Sequence, residues 1–204
     1  MGATHNTSGI RGVANNIQIV PINIFWGGES DSDLAASINW AWSSTGGNAD
    51  VLCNSWNFEN SCSMSKDVIT SAINNARTKG RNGRGCLVVF SSGNKVEGED
   101  VNDCIRFPAR INGVMTVGAV GRTGVLANYS KFGTELELVA PSSITTNTPD
   151  MTTTDLNGTT LVQFGGTSAA CPQVAGIAAL WNFSSSWCSV LHNMYVSKIS
   201  LILV

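Results

Sequence analysis

Five consecutive apolar residues, Cys86-Leu87-Val88-Val89-Phe90, run into Ser91-Ser92-Gly93-Asn94 and constrain the fold more than any other stretch. A strand that is apolar at every position needs cover on both faces, the environment of a central strand in a parallel sheet. Around it the pattern alternates. Residues 18–24 read as a strand, followed by a helix capped by Ser30 or Asp31 with Leu34, Ile38, Ala41 and Trp42 on one face. Residues 50–55 read as a second strand. Ser63 or Ser65 then caps a helix with Val68, Ile69, Ala72, Ile73 and Ala76 inward and Gly80 at its end. Residues 113–120 and 135–140 are further strands, and the Thr-rich stretch 145–160 reads as a surface loop. Strands alternating with helices predict an α/β fold with right-handed crossovers, whose site lies at the carboxyl ends of the strands.

The 204 residues suffice for one domain with a substantial core. A net charge of −2 without a basic cluster argues against a nucleic-acid partner. No stretch is apolar and long enough to span a membrane, and Met1 does not open a signal peptide. The six cysteines lack the paired spacing of a zinc site. Cys86 and Cys171 sit in apolar runs and are expected as buried thiols. Cys62 and Cys104 lie in polar segments and are expected to pair if the protein is exported.

The chemistry centres on Phe164-Gly165-Gly166-Thr167-Ser168-Ala169-Ala170-Cys171-Pro172-Gln173-Val174-Ala175-Gly176. Ser168 falls between a Gly-Gly-Thr turn and an apolar run that reads as a helix. There the unpaired N–H groups and the positive dipole end favour developing negative charge. That is a place for a nucleophile and half an oxyanion hole. An ordinary helix N-cap would also put a serine here, but capping requires neither the glycine approach nor the Pro172 and Gly176 spacing. The segment resembles the active-serine motif of the subtilisin-like serine proteases, Gly-Thr-Ser-x-Ala-x-Pro-x-x-Ala-Gly. The resemblance implies a three-layer α/β sandwich, with a central, mostly parallel sheet flanked by helices and incomplete at its N-terminus.

The same resemblance extends along most of the chain. Asn94, directly after the apolar strand, is by itself a turn residue. Matched to the family's Ala-Ala-Gly-Asn-like segment, it becomes the side-chain oxyanion donor beside the Ser168 N–H. Ser55, Trp56 and Asn57 are similar to the family segment that pairs with the substrate backbone, and Ser91, Ser92 and Gly93 to the opposite wall. Asn57 replaces a usual glycine, which narrows the pocket mouth. Ser142 replaces the glycine that usually follows Ala140-Pro141, read as a loop variation. The segments 107–119 and 128–133 carry further likeness.

A serine nucleophile needs a histidine base and a carboxylate to orient it. Only His5 and His192 exist here. His5 opens His5-Asn6-Thr7 rather than the family's His-Gly-Thr-x-x-Ala-Gly. Gly9-Ile10-Arg11-Gly12-Val13-Ala14 resembles a family segment found beyond the base, so His5 is expected in a loop and the base and Asp upstream of Met1. His192 lies in a tail without family motifs. Residues 1–182 are therefore expected to form a partial catalytic domain lacking the Asp and His motifs, and 183–204 a divergent tail. The expectation is a serine endopeptidase whose fragment has little activity alone. A non-catalytic peptide-binding module is the main alternative. A sedolisin-type enzyme is opposed by Asn94, and a dinucleotide-binding protein by the absence of a G-x-G-x-x-G after a strand. The expected partner is a peptide in extended form. No cofactor is needed for the chemistry. Structural calcium is common in the family, but Glu29, Asp31 and Asp33 fit a helix start equally well as a ligand set. Resemblance also implies secretion.

Overall fold

Both faces of the apolar strands are covered in a computed structural model of the chain, which describes residues 1–25, 27–58, 62–95, 104–145, 151–155, 159–161, 163–181 and 200–203. In chain order the elements are β1 (Gln18–Pro21), α1 (Asp31–Trp42), β2 (Val51–Asn54), α2 (Asp67–Gly83), β3 (Leu87–Ser91), β4 (Met115–Val120), β5 (Leu138–Pro141), β6 (Thr153–Thr154), β7 (Thr160–Leu161), α3 (Thr167–Leu180) and β8 (Ser200–Leu203). Among the described residues six strands form one sheet in the order β1-β8-β2-β3-β4-β5, and every pairing in it is parallel. β6 and β7 make a separate antiparallel pair within the Thr-rich segment. β8 comes from the segment read as a tail and lies between β1 and β2, with Leu201 opposite both Ile19 and Val51.

Alternation along the strands divides the core in two. Leu52, Val88 and Phe90 face the layer made by α1 and α2, where they meet Ile38, Ile69 and Ile73. Val51, Cys53, Val89 and Val117 face α3, where they meet Ala170, Cys171, Val174 and Ala175. The architecture is thus the expected α/β arrangement, helices on both sides of a parallel sheet.

Local chemistry explains the helix ends. Ser30 caps α1 in a reciprocal box: its side chain accepts from the Asp33 N–H, and the Asp33 carboxylate accepts from the Ser30 N–H at 2.9 Å. These bonds from Ser30 hold the Asp33 carboxyl below its usual range. Two expectations about α2 need correction. Its N-cap is Lys66, without a side-chain cap, rather than Ser63 or Ser65. The Lys66 ammonium instead ties α2 to α1 through Asp31, at 2.6 Å. Val68 is exposed rather than inward, because the 3.6-residue period puts the stripe Ile69, Ala72, Ile73 and Ala76 one step round the helix. Helical geometry stops at Gly80, where a Cβ would collide with the Cys86 sulfur. Cys86 is a buried thiol donating to the Ala49 carbonyl, and burial pushes its pKa up to about 12. Cys62 and Cys104 are joined by a disulfide with Cα atoms 5.6 Å apart.

Candidate active site

Ser168 is the second residue of α3, half-buried, at the carboxyl edge of the sheet. Each glycine before it has a physical cause. A Cβ at Gly165 would strike the Ser143 side chain, and Gly166 has φ +80°, a region that L side chains rarely adopt. Pro172 explains a further contact. It lacks the N–H that would bond the Ser168 carbonyl four residues back. The Ser55 hydroxyl takes that place, donating to the Ser168 carbonyl at 3.2 Å. In return the Ser168 hydroxyl lies 3.5 Å from the Ser55 carbonyl, at the outer limit of a hydrogen bond. The turn at Ser168 and the chain at Ser55 are therefore clasped together. At the second position of a helix, the Ser168 N–H has no intrahelical acceptor.

Asn94 follows β3 and reaches the same turn. Its side-chain oxygen accepts from the Thr167 N–H and from the Thr167 hydroxyl, both at 2.9 Å. That fixes which end of the amide faces Thr167. The Nδ2 group lies beside Gly166, where a Cβ would come within 3.0 Å of it, and it has no acceptor among the described residues. A donor held in place and not spent on a partner is what a developing oxyanion requires.

The expected wall residues are distributed unevenly. Ser55 is exposed and Asn57 half-buried, while the Trp56 indole is buried, donating to Asn54 and packing edge-on against Phe90 at 5.3 Å. Ser91 and Ser92 are buried, and their hydroxyls have no hydrogen-bond partner among the described residues. What this wall offers the cleft is backbone. Gly93, at φ +102°, accepts from the Lys131 N–H at 3.0 Å and packs against the side chains of Arg106 and Lys131.

Sequence reasoning missed the supports of the turn before Ser168. The Tyr129 hydroxyl donates to the Ser143 carbonyl at 2.6 Å and accepts from the Gly166 N–H at 3.1 Å. Ser142, read as a loop variation, is buried and donates to the Gly166 carbonyl at 2.9 Å. The signal for it was the departure itself, a hydroxyl where the family usually has glycine.

The candidate bases stand apart. His5 is exposed and its Nε2 lies 2.9 Å from the Gly12 carbonyl; among the described residues nothing joins it to Ser168. His192 lies outside the described residues. The acidic residues at the start of α1 have local partners: Glu29 accepts from the Gly27 N–H, Asp31 pairs with Lys66, and Asp33 closes the capping box. No helix among the described residues is long and apolar enough to cross a membrane.

Sequence comparison matches residues 1–193 to the model of the subtilase family. The chain is 34% identical over 185 residues to an extracellular protease of Xanthomonas campestris pv. campestris, covering 87% of this chain and 30% of that protein. It is 32% identical over 193 residues to subtilisin Savinase of Lederbergia lenta, covering 93% of this chain and 63% of the relative. Among solved structures, a protease of Pseudoalteromonas arctica superimposes with a TM-score of 0.67 at 32% identity, over 88% of this chain and 55% of the other. The chain thus spans less than two thirds of each of these relatives.

Proposed function

The chain belongs to the subtilase family of serine endopeptidases, and from that membership we propose that Ser168 is its nucleophile and Asn94 its side-chain oxyanion donor. The observation that carries the reading is the Thr167 bridge, which fixes the Asn94 amide and the start of α3 relative to each other. In the proposed reaction the Ser168 oxygen attacks the scissile carbonyl carbon, and its proton passes to a histidine base. The carbonyl oxygen gains negative charge between the Ser168 N–H and the Asn94 Nδ2. The leaving amine departs with a proton, and water then hydrolyses the acyl-enzyme. An extended peptide lies between residues 55–57 and 91–93, pairing with them as an added strand. The chemistry draws on no cofactor. Residues 1–182 serve as the catalytic portion, and secretion follows by resemblance to an extracellular relative.

One observation favours a second reading, a cleft that binds peptides without cleaving them: among the described residues no histidine reaches Ser168. Hydrolysis of an activated peptide ester by this chain is therefore expected to stay near background. Turnover abolished by both Ser168→Ala and His5→Ala would overturn that and make His5 the base. In a full gene product that carries a histidine base, Ser168→Ala abolishes hydrolysis. Asn94→Ala is expected to lower turnover by about 10²–10³-fold, the loss that follows removal of a side-chain oxyanion donor in a subtilisin. Unchanged turnover in Asn94→Ala would refute the oxyanion assignment.

A further inference from the structure

The peptide unit that joins Gly166 to Thr167 is held at both ends, by residues 24 and 73 positions away in the chain. At one end the Gly166 carbonyl accepts from the Ser142 hydroxyl at 2.9 Å. At the other the Thr167 N–H donates to the Asn94 side-chain oxygen, also at 2.9 Å. A peptide unit is planar, so fixing the direction of its carbonyl fixes that of its N–H. This unit needs fixing. Gly166, at φ +80° and ψ 170°, has no Cβ to resist rotation of the plane, and a flipped plane would leave the Asn94 oxygen facing a carbonyl. Within the first turn of α3 the Gly166 carbonyl also accepts from the Ala169 N–H at 3.0 Å. The Ser142 bond differs in coming from the sheet. Ser142 directly follows β5, is 3% exposed, and its own N–H donates to the Val120 carbonyl at the end of β4 at 2.8 Å. The preceding peptide unit is held separately, its Gly166 N–H donating to the Tyr129 hydroxyl.

Resting on the oxyanion reading of Asn94 above, we infer that Ser142 is a positioning residue that sets the orientation and donor strength of the Asn94 amide through the 166–167 peptide unit. Donation into a peptide carbonyl polarises the whole unit and makes its N–H a stronger donor, because hydrogen bonds in a chain reinforce one another. Here the chain runs from the Ser142 hydroxyl through the Gly166 carbonyl and the Thr167 N–H to Asn94 Oδ1, each group donating to the next. Accepting at Oδ1 draws charge from Nδ2 of the same amide and leaves its hydrogens better donors. The Thr167 hydroxyl adds a second bond to that oxygen. Removing the Ser142 hydroxyl leaves no buried donor among these groups unpaired. The Tyr129 O–H keeps the Ser143 carbonyl at 2.6 Å, and the Gly166 carbonyl keeps the Ala169 N–H. What is lost is direction at Asn94.

The test uses the full chain and two readouts. By NMR, Ser142→Ala is expected to move the Thr167 amide proton and the Asn94 side-chain amide protons upfield, a signature that a loss of stability alone does not produce. Ser142→Cys, with a weak donor in place of the hydroxyl, is expected to move them the same way and covers the case in which Ser142→Ala does not fold. The second readout is affinity for a peptide boronic acid. Its boron takes the Ser168 oxygen, the Ser168 proton leaves to solvent, and the tetrahedral boronate carries the negative charge. Ser142→Ala is expected to bind it about 3–10-fold more weakly than the parent chain, as for the loss of one hydrogen bond, with affinity for the matching boron-free peptide unchanged. Unmoved Thr167 and Asn94 resonances, or equal boronate affinity in parent and variant, overturn the role assigned to Ser142. Absence of any boronate adduct in the parent chain overturns the oxyanion reading instead, and the resonances then decide separately whether Ser142 orients the Asn94 amide.

Discussion

Against one face of the sheet, α1 and α2 press large aliphatic side chains, Leu34, Ile38, Ile69 and Ile73, onto Leu52, Val88 and Phe90. Against the other, α3 meets Val51, Cys53 and Val89 chiefly through Ala170, Cys171, Ala175 and Ala179. The first layer is held by apolar volume, where each fully buried aliphatic side chain contributes about 1.5–3 kcal/mol. The second is built from small side chains that let a helix backbone come close. It is then secured at its N-terminal end by directed bonds from Asn94, Tyr129, Ser142 and Ser55. The contrast separates two tasks. Volume supplies stability, whereas close approach and hydrogen bonds set where Ser168 stands.

Opposite substitutions on the two faces test that division. Ile73→Ala on the α2 side removes a fully buried side chain and should cost about 2–5 kcal/mol of unfolding free energy, measured by urea denaturation. It should leave peptide affinity at the cleft unchanged in the folded protein. Ala175→Leu on the α3 side should cost about 1–3 kcal/mol by overpacking, and it should also weaken peptide binding because α3 is displaced. A neutral Ala175→Leu would mean that the small residues of α3 do not set its distance from the sheet, and the contrast would fail.

The smallest effect lies at the start of α1. Ser30→Ala removes a side-chain cap and should lower stability by about 1 kcal/mol without touching the cleft. Asp33 adds a pH signature. Its folded pKa is depressed by the bonds from Ser30, so its contribution is present above the unfolded carboxylate pKa and is lost as pH falls through the lower folded value. Urea midpoints of the parent chain and Ser30→Ala should therefore converge as the pH is lowered through that range. A gap that stays constant down to acid pH would show that the box does not act through the carboxylate.

Much of the sheet was legible because strand burial writes itself into composition: a run such as Cys86 to Phe90 has few other homes. A cap at Ser30, one of two candidates, and the stop at Gly80 were legible from residue types at the helix ends, whereas the reciprocal bond from Asp33 was not read. The start of α2 was not, because Lys66 answers to Asp31 across 35 positions of chain. The glycines before Ser168 announced a tight turn, but what the turn leans on is distant in sequence. Ser142 and Tyr129 reach Gly166 from 24 and 37 positions away. A propensity argument has no access to such pairs.

Asn94 became a candidate through family resemblance alone, whereas by itself the sequence determined the parallel α/β pattern, the candidacy of Ser168 and the glycine–proline frame around it. These rest on local rules of burial, backbone freedom and hydrogen-bond supply, each read within a few residues. Tertiary structure alone decided that Thr167 turns the Asn94 amide and that Ser55 answers the carbonyl left open by Pro172. It also decided that Arg106 links Ser92 to Asn57 and that β8 lies between β1 and β2. Those are contacts between segments far apart in the chain, and only the folded backbone brings their atoms within hydrogen-bonding range.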